Sequence, residues 1–440
     1  MLTSLFQSLH LAISAFFAGL FVMLYSMFKK AEWGLFLLIF LIPQPNIWFK
    51  FLNFPLGSYY LNFIFLAVVF GLFIQNKGLV KNGNGKLILI FLLVSYIALW
   101  NSSMRFSLPY PVSFDNEMFK PWKNFAMMIS MYFLGLSALR NEKNQKKAIV
   151  IMGAVLLIIS IRSIESFTAG ATFVQASRYG GPFETVGLGC NHLGAFIAEY
   201  AAFLLGLSFY ETKAGKKLFY LAAVILSIHP LFVTYSRGAY VGALAALVFL
   251  GIAKKRSLII FVVALVLFWQ TMLPPSVVGR INMTETGEGN LDHASVVRLD
   301  LWNKAIDDFE QHPVFGLGFN GFQLSLQGAQ FTDTHDYFLK ILSEEGIAGA
   351  FLLLIVLSRA MLSGFRLVRT SGSRFHKGLG MGFLGCIAAT IVTNLFGDRW
   401  SYIELGSYFW IIWGMVDGGL AMSQSQAVNE KLRAINGADQ

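Results

Sequence analysis

The chain has 440 residues, of which 56% are hydrophobic and only 13% are charged. A typical globular protein carries about 25% charged residues, so this composition excludes an ordinary soluble enzyme. Mean hydropathy is +0.61 and is spread along the whole chain, which predicts an all-α polytopic membrane protein. The net charge of +10 would suggest nucleic acid in a soluble protein, but we attribute it to basic cytoplasmic loops and expect no nucleic-acid partner.

Thirteen apolar runs could cross a bilayer, for which about 20 residues are needed. They lie near residues 5–28, 33–49, 59–76, 86–101, 122–139, 147–168, 189–210, 217–234, 238–253, 257–273, 338–365, 378–396 and 405–422. No Lys or Arg precedes Lys29, so we expect the first run to stay in the membrane rather than act as a signal peptide. Pro43 and Pro45 predict a kinked or partly inserted second run, hence a bundle of 12–13 transmembrane helices.

Positive charge recurs at every second loop, as the positive-inside rule requires. We therefore expect the basic loops to face the cytoplasm, namely 77–86, 140–147, 213–217, 254–256 and 366–377. The side of the N-terminus depends on whether there are 12 or 13 spans. The predicted organisation is spans 1 to about 10 in 1–273, a non-cytoplasmic loop domain in 274–336, C-terminal spans in 337–422 and a cytoplasmic tail in 423–440.

The loop 274–336 holds nine acidic and three basic residues. It contains a predicted amphipathic helix over 296–311, with Val297, Leu301, Ala305 and Phe309 along one face. The acidic residues Asp307, Asp308 and Glu310 are expected mostly on the other sides. Such a helix would lie on the membrane surface, cap a cleft or pack over the bundle.

Two arginines on the non-cytoplasmic side break the charge trend. Arg178 precedes the seventh run, and Arg237 lies in a very short loop between two runs. A guanidinium forms a planar fork that matches phosphate oxygens, so two such residues near one cleft could bind a diphosphate. The alternative is that each one bonds lipid headgroups or helix-end carbonyls.

His335 lies where the large loop re-enters the membrane, between Asp333 and Asp336. A carboxylate beside an imidazole can fix its tautomer, and a neutral histidine can then act as a general base. A compatible alternative is a helix-cap cluster, in which Asp336 or Thr334 caps the following span. The accessory residues of the predicted site are Asp336, Arg298, Lys304 and Arg399.

Several other patterns carry less weight. The chain has no D-x-D, and the sequence Asp115-Asn-Glu117 is the basis of a rival, metal-dependent mechanism. The glycine-rich stretch 316–321 is interpreted as a turn because it follows a helix. The two cysteines, Cys190 and Cys386, are interpreted as packing residues. Ionisable residues within apolar runs would suit a proton-coupled transporter instead, namely Arg162, Glu165, His192 and Glu199.

Three stretches in order resemble the superfamily of O-antigen ligases and O-antigen polymerases. They are Ser236–Ala239, Arg298–Phe322 and His335–Gly349, and with the hydrophobic profile the resemblance covers most of the chain. Asp336 stands where that family often has Asn. The resemblance implies a glycosyltransferase of the bacterial inner membrane that needs no metal or other cofactor. It implies a periplasmic site with His335 as the catalytic base and Arg178 and Arg237 as its arginines, the match at Arg178 being the looser one.

In an O-antigen ligase, a glycan would pass from undecaprenyl pyrophosphate to a sugar hydroxyl of lipid A–core oligosaccharide, with inversion at the anomeric carbon. The partners would then be this donor, this acceptor and membrane lipids. An O-antigen or exopolysaccharide polymerase and a protein O-oligosaccharyltransferase are alternatives within the superfamily. A ligase is favoured because the non-cytoplasmic loop has only about 60 residues. A transporter or flippase is the alternative from another class.

Overall fold

A computed structural model of the chain describes residues 2–80, 82–166, 178–283, 293–326 and 333–438. Within these ranges all regular elements are helices, and the predicted all-α polytopic class is confirmed. Part of the predicted large loop, including Glu285, Glu288 and Asp292, lies outside the described residues.

Helices follow one another with short connections along most of the chain. They are α1 (Leu2–Phe28), α2 (Ala31–Leu41), α3 (Pro45–Trp48), α4 (Tyr60–Ile74), α5 (Gly83–Arg105), α6 (Phe119–Ala138), α7 (Glu142–Ser166), α8 (Cys190–Ser208), α9 (Ala214–Val233), α10 (Arg237–Ala253), α11 (Ser257–Leu267), α12 (Trp269–Met272), α13 (Pro275–Asn282), α14 (His293–Gln311), α15 (Gly321–Ser325), α16 (Tyr337–Thr370), α17 (Arg374–Asn394) and α18 (Ile403–Ala438). Short 3-10 helices occupy Phe49–Asn53, Gly57–Tyr59 and Gly181–Val186.

Each predicted apolar run overlaps a helix. Among the described residues, seven helices are long and apolar enough to cross a membrane, or eight if one bent pair is counted as a span. The higher predicted number, 12–13, also includes shorter apolar helices such as α10 and α11. The bent pair is α2 with Pro45–Asn53, which meet at 99°, where Pro43 and Pro45 were expected to interrupt the second run.

The basic loops meet at one end of the bundle, which we call the basic end. There Arg140 donates to the carbonyl of Gly78 at 2.8 Å, and Ser373 donates to Glu142 at 3.0 Å. The ammonium of Lys254 lies 4.8 Å from the ring centre of Tyr210. The loops that the charge pattern places on one side of the membrane therefore do lie together. Helix α18 continues through the predicted tail to Ala438.

Small residues let α8 and α17 approach closely. A Cβ atom on Gly206 would lie 2.7 Å from the Cα of Gly382 and 2.9 Å from the carbonyl of Met381. Close contact of this kind is a usual way for membrane helices to associate. Because α8 and α17 pack so tightly, the segments at their other ends are held side by side, and these segments carry the candidate site.

The predicted amphipathic helix is present as α14. Leu301 and Ala305 on its apolar face are buried with Phe322 of α15, so the helix packs over the bundle. The prediction that Asp308 lies on an outer side is wrong, because Asp308 is buried and forms an ion pair with Lys304 one turn earlier. The stretch 316–321 is a turn, as predicted, with positive φ at Gly316, Gly318 and Asn320.

Candidate functional site

The end of the bundle opposite the basic end is called the site end, and it is built from four segments. These are residues 178–192, the turn 234–237, residues 333–340 and residues 394–402. The predicted site residues Arg178, Arg237 and His335 each belong to one of them, and Arg399 belongs to the fourth.

Arg178 holds the first two segments together. Its Nε donates to the carbonyl of Thr234 at 2.9 Å, and its Nη2 donates to Oδ1 of Asn191 at 2.7 Å and to the carbonyl of Tyr235 at 3.3 Å. The backbone N–H of Tyr179 adds a bond to the carbonyl of Val233 at 3.0 Å. Arg178 thus bonds helix-end carbonyls, which was one of the alternative roles predicted for it. Its side chain is half-buried and also reaches the surface of the site end.

Arg237 is the first residue of α10, two residues after the Tyr235 carbonyl that Arg178 bonds. Tyr235 has a φ of 48°, a left-handed conformation that is uncommon for a residue with a side chain. This conformation makes the turn between α9 and α10 very short. Arg178 bonds this turn and Arg237 directly follows it, so the two arginines belong to the same part of the site end.

His192 and Arg399 join α8 to the segment after α17. Nη1 of Arg399 donates to Nε2 of His192 at 3.0 Å, and the backbone N–H of Arg399 donates to Oδ1 of Asn394 at 3.0 Å. An arginine has no acceptor atom, so Nε2 of His192 must be unprotonated here. Burial lowers the pKa of Arg399, and the carboxylates of Asp333 and Asp398 act in the opposite direction.

His335 contacts Asp333 through Nδ1, with 3.3 Å between Nδ1 and Oδ2. Burial by itself would raise the pKa of Asp333, but the bond from His335 and the charge of Lys340 lower it to about 2. An ionised Asp333 favours a proton on Nδ1 of His335 and leaves Nε2 as the basic nitrogen. His335 has a φ of 54°, so its backbone is held in the left-handed region.

The residues on both sides of His335 fix this conformation. The Asp336 carboxylate accepts from the backbone N–H groups of Phe338 at 2.8 Å and Leu339 at 3.0 Å, so Asp336 caps α16. Burial raises the pKa of Asp336, and these two bonds oppose the rise. Trp302 of α14 donates to the carbonyl of Thr334 at 3.0 Å. The amphipathic helix therefore braces the segment that carries His335.

A buried ion pair joins the His335 segment to the Arg399 segment. Nζ of Lys340 lies 2.7 Å from Oδ2 of Asp398, whose side chain is 1% exposed. Asp333 is near enough to Arg399 for their charges to interact. Arg399 in turn contacts His192, which follows Asn191, the partner of Arg178. Hydrogen bonds and ion pairs thus link the segments in pairs, and the charges of Arg399 and Asp333 interact between the Arg399 segment and the His335 segment.

A cavity of about 1030 Å³ opens beside this chain of contacts. Lys340 and Tyr402 line it on the site side, and the Tyr402 ring packs on His192 with 4.9 Å between ring centres. The rest of the wall mixes aromatic rings with amides and charged groups, including Trp48, Tyr59, Asn62, Asn124, Lys120, Lys123, Glu117 and Glu404. Stacking faces and hydrogen-bonding groups of this kind suit a sugar.

Other predicted residues lie outside this arrangement. Lys304 is paired with Asp308, and Arg298 is a half-buried residue of α14. Glu199 accepts from Thr393 at 2.8 Å, which supplies the partner that the sequence did not reveal. Arg162 and Glu165 are exposed in the last turn of α7. Both cysteines are free thiols, with Cys386 buried and Cys190 half-buried.

Four residues that the structure places in the site were not predicted from the sequence: Asn191, Lys340, Asp398 and Tyr402. Lys340 gave the strongest available signal, since a lysine one turn into an apolar run needs a partner or a polar cavity.

The two acidic residues of the rival metal-dependent mechanism do not lie together in the cavity wall. Asp115 accepts from Ser113 at 2.9 Å, and of the two only Glu117 lines the cavity. Within the described ranges no group of three or more His, Cys, Asp or Glu residues could hold a metal ion.

The fold and this site define a polytopic all-α membrane protein with a polar, partly buried centre at one end of its bundle. The model of a family described as O-antigen ligase matches residues 222–354, and this match supports assigning the chain to the O-antigen ligase family, as the motifs predicted. The match includes Arg237 and His335 and excludes Arg178 and Arg399. It supports a glycosyltransferase-type enzyme. No match to the chain was found among curated proteins.

Proposed function

We propose that this protein is an O-antigen ligase of the bacterial inner membrane, with its site end facing the periplasm. It would transfer a glycan from undecaprenyl pyrophosphate to a sugar hydroxyl of lipid A–core oligosaccharide, with inversion and without a metal ion. The observation that carries this proposal is the placement of Arg178, bonded to the turn 234–237, and of the Asp333–His335 pair at one end of the bundle, with the charge of Arg399 acting on Asp333. The family match supports the reaction class.

In the proposed reaction, Nε2 of His335 takes the proton from the acceptor hydroxyl. The hydroxyl oxygen forms a bond to the anomeric carbon as the bond from that carbon to the diphosphate oxygen breaks. Undecaprenyl diphosphate leaves with the electron pair. Asp333 stabilises the imidazolium that forms, since its carboxylate contacts Nδ1 at 3.3 Å.

The arginines would stabilise the leaving group. Negative charge grows on the diphosphate as the glycosidic bond breaks, and fixed cations in a site of low dielectric favour that change. Arg237 would contact the diphosphate directly. Arg178 shares its guanidinium between protein carbonyls and the ligand, so it would position Arg237 as well as contribute charge. Arg399 would add positive potential from a buried position.

The cavity of about 1030 Å³ would receive acceptor sugars. It touches the site through Lys340 and Tyr402, and its remaining lysines could meet acidic groups of a lipid A–core oligosaccharide. The undecaprenyl chain would lie in the bilayer against the apolar exterior of the helices.

A transporter would be expected to hold its paired charges deep in the bundle. Arg162 and Glu165 are instead exposed at the end of α7, and the buried Glu199 is bonded to Thr393. These positions give a transport function little support. A polymerase uses the same donor chemistry, so its separation from a ligase depends on the acceptor.

The deciding experiment is transfer by purified protein, with undecaprenyl-pyrophosphate-linked glycan, lipid A–core, EDTA and no nucleotide. Glycosylated lipid A–core is the expected product. Lengthened glycan on the lipid carrier, with lipid A–core unchanged, would instead identify a polymerase. Transfer that occurs only when a divalent ion replaces EDTA would overturn the metal-independent mechanism and direct attention to Asp115 and Glu117.

A further inference from the structure

A groove of about 720 Å³ lies at the basic end, far from the candidate site. Five lysines near the N-termini of α7 and α9 line it, together with a single acidic residue, Glu142; the lysines are Lys143, Lys146, Lys147, Lys213 and Lys216. Two smaller hollows extend this basic surface. One of about 380 Å³ adds Lys30 and Glu32, and one of about 190 Å³ adds Arg374 and Glu211.

The placement of these lysines is unfavourable without an anion. The N-terminus of a helix carries partial positive charge, so cations in the first turn are repelled by the helix dipole. Here Lys143 of α7 and Lys213 and Lys216 of α9 lie at two helix N-termini that border one groove. Lys146 and Lys147 lie one turn further along α7. Of the five, Lys146 is the one with an ion pair among the described residues, and its partner is Glu142. A bound anion would relieve this repulsion, and phosphate oxygens at helix N-termini are a common solution.

The groove also has an apolar wall. Trp33 of α2 is 44% exposed and Val150 of α7 is 38% exposed, and both line the groove with Phe36 and Ile151. The positive-inside rule accounts for lysines at this end of the bundle, but it does not require an apolar hollow beneath them. The groove therefore has lysines at the end of the bundle and apolar side chains beside them, nearer the middle of the bundle. A lipid has the same arrangement, with its phosphate at the membrane surface and its acyl chain within the bilayer.

We propose that this groove binds an anionic phospholipid of the adjoining leaflet, with its phosphates on the α7 and α9 lysines and an acyl chain against Trp33 and Val150. The lysines form two groups, one on each helix, so a headgroup with two phosphates would satisfy both. Basic pockets between transmembrane helices on the cytoplasmic side are suited to such headgroups. This site is independent of the proposed transfer reaction.

Native mass spectrometry of the purified full chain in detergent tests the proposal, with cardiolipin as the diphosphate probe and phosphatidylethanolamine as the zwitterionic reference. Wild type should bind cardiolipin in preference to the reference lipid. The variants K143Q/K147Q and K213Q/K216Q should each weaken cardiolipin binding by about tenfold, because each lysine near a headgroup contributes to attraction. Without added lipid, their melting temperatures should not fall below that of wild type, because fewer cations then lie near the helix N-termini.

The matched control is K255Q/R256Q, which removes the same charge from exposed residues at the basic end that do not line the groove. It should leave cardiolipin binding within about twofold of wild type. Equal losses in all three variants would show a general charge effect and overturn the proposal, and so would groove variants that bind like wild type.

A second comparison separates a lipid from a soluble anion. Trp33→Ala removes part of the apolar wall and should weaken cardiolipin binding while leaving the binding of inorganic pyrophosphate unchanged. If pyrophosphate binds wild type as tightly as cardiolipin does, and Trp33→Ala changes neither, the groove is a site for a soluble polyanion and the lipid assignment is wrong.

Discussion

Nη1 of Arg399 donates to Nε2 of His192 across 3.0 Å, and this bond links α8 to the segment between α17 and α18. His192 follows Asn191, which bonds Arg178, and Arg399 interacts with Asp333, which contacts His335. In the proposed reaction His192 has no chemical role, and Arg399 contributes positive potential without contacting the substrate. Their bond holds together the segments that carry the proposed chemistry, so it is the structural basis on which the site predictions rest.

His335→Ala should abolish transfer while donor binding persists. If Nε2 is the base that takes the acceptor proton, its removal should lower the transfer rate by at least about 100-fold, the usual minimum for a general base. Two quantities are measured with purified protein: the rate of transfer to lipid A–core and the binding of a labelled lipid donor.

The matched control for this variant is His312→Ala. His312 also lies near the site end, where its ring bonds Arg105 at 2.9 Å, and it is not part of the proposed site. It should transfer at close to the wild-type rate. Normal transfer by His335→Ala would remove the residue from the catalytic role, whatever the control does.

Arg237→Lys should fail in transfer although the positive charge remains. A lysine ammonium cannot form the two parallel bonds that a guanidinium makes to phosphate oxygens. We expect a lower kcat, because the interaction strengthens as charge grows on the leaving group. The control is Arg105→Lys, an exposed arginine at the end of α5. A variant at Arg237 with a raised KM and unchanged kcat would show ground-state binding only.

Asp333→Asn should make stability respond differently to pH. The pKa of Asp333 is lowered to about 2 in the folded protein, so its ionised form stabilises the fold above the unfolded pKa near 3.8. That contribution is lost as the pH falls from about 4 towards 2. The variant should therefore melt below wild type at pH 7, and the two melting temperatures should converge below pH 4. A difference in melting temperature that stays constant from pH 7 to below pH 4 would contradict the lowered pKa of Asp333.

The sequence predicted the helices well because twenty-residue apolar runs have few other fates in a membrane. It also predicted the bend at Pro43 and Pro45, since proline removes a helix hydrogen bond. The amphipathic helix α14 followed from its periodicity. The position of Asp308 was predicted wrongly because the periodicity argument assigns every charged residue to an exposed face. It cannot foresee that Asp308 is buried in an ion pair with Lys304.

The site was harder to predict because its contacts join distant parts of the chain. Arg399 and His192 are separated by 207 positions, and Arg178 and Thr234 by 56. Spacing alone reveals no such contact, so His192 was noted only as an ionisable residue in an apolar run. Lys340 was missed because its partner, Asp398, belongs to another loop.

Lys340→Met should be far more damaging than the loss of a surface ion pair. The side chain of Asp398 is 1% exposed, so removal of Lys340 would leave a buried carboxylate without its cation, at a cost of about 3–5 kcal/mol. The double variant Lys340→Met/Asp398→Leu should recover much of that loss, because neither charge then remains. The measurement is the free energy of unfolding in a double-mutant cycle.

The comparison pair is Lys77 and Glu32 at the basic end, whose side chains are 34% and 13% exposed. Lys77→Met should cost clearly less than Lys340→Met is expected to cost, because water reaches both partners of this pair and screens their attraction. If Lys340→Met costs as little, the pair does not hold the His335 and Arg399 segments together, and its part in positioning the site is refuted.

Gly346→Ala should destabilise the protein through the backbone of α16. Gly346 has a φ of 63° and ψ of −162°, a conformation that is almost confined to glycine, and it produces a kink two residues after Glu344. A Cβ atom there would collide with the backbone of Val314 and lie 2.7 Å from the nitrogen of Phe315. A loss of about 1–3 kcal/mol is expected from strain, and more if the turn at 313–318 is displaced.

Gly372→Ala is the matched control, because a Cβ atom on Gly372 would meet nothing within 4 Å. Equal melting temperatures for the two variants would mean that the kink is not needed to seat this turn against α16.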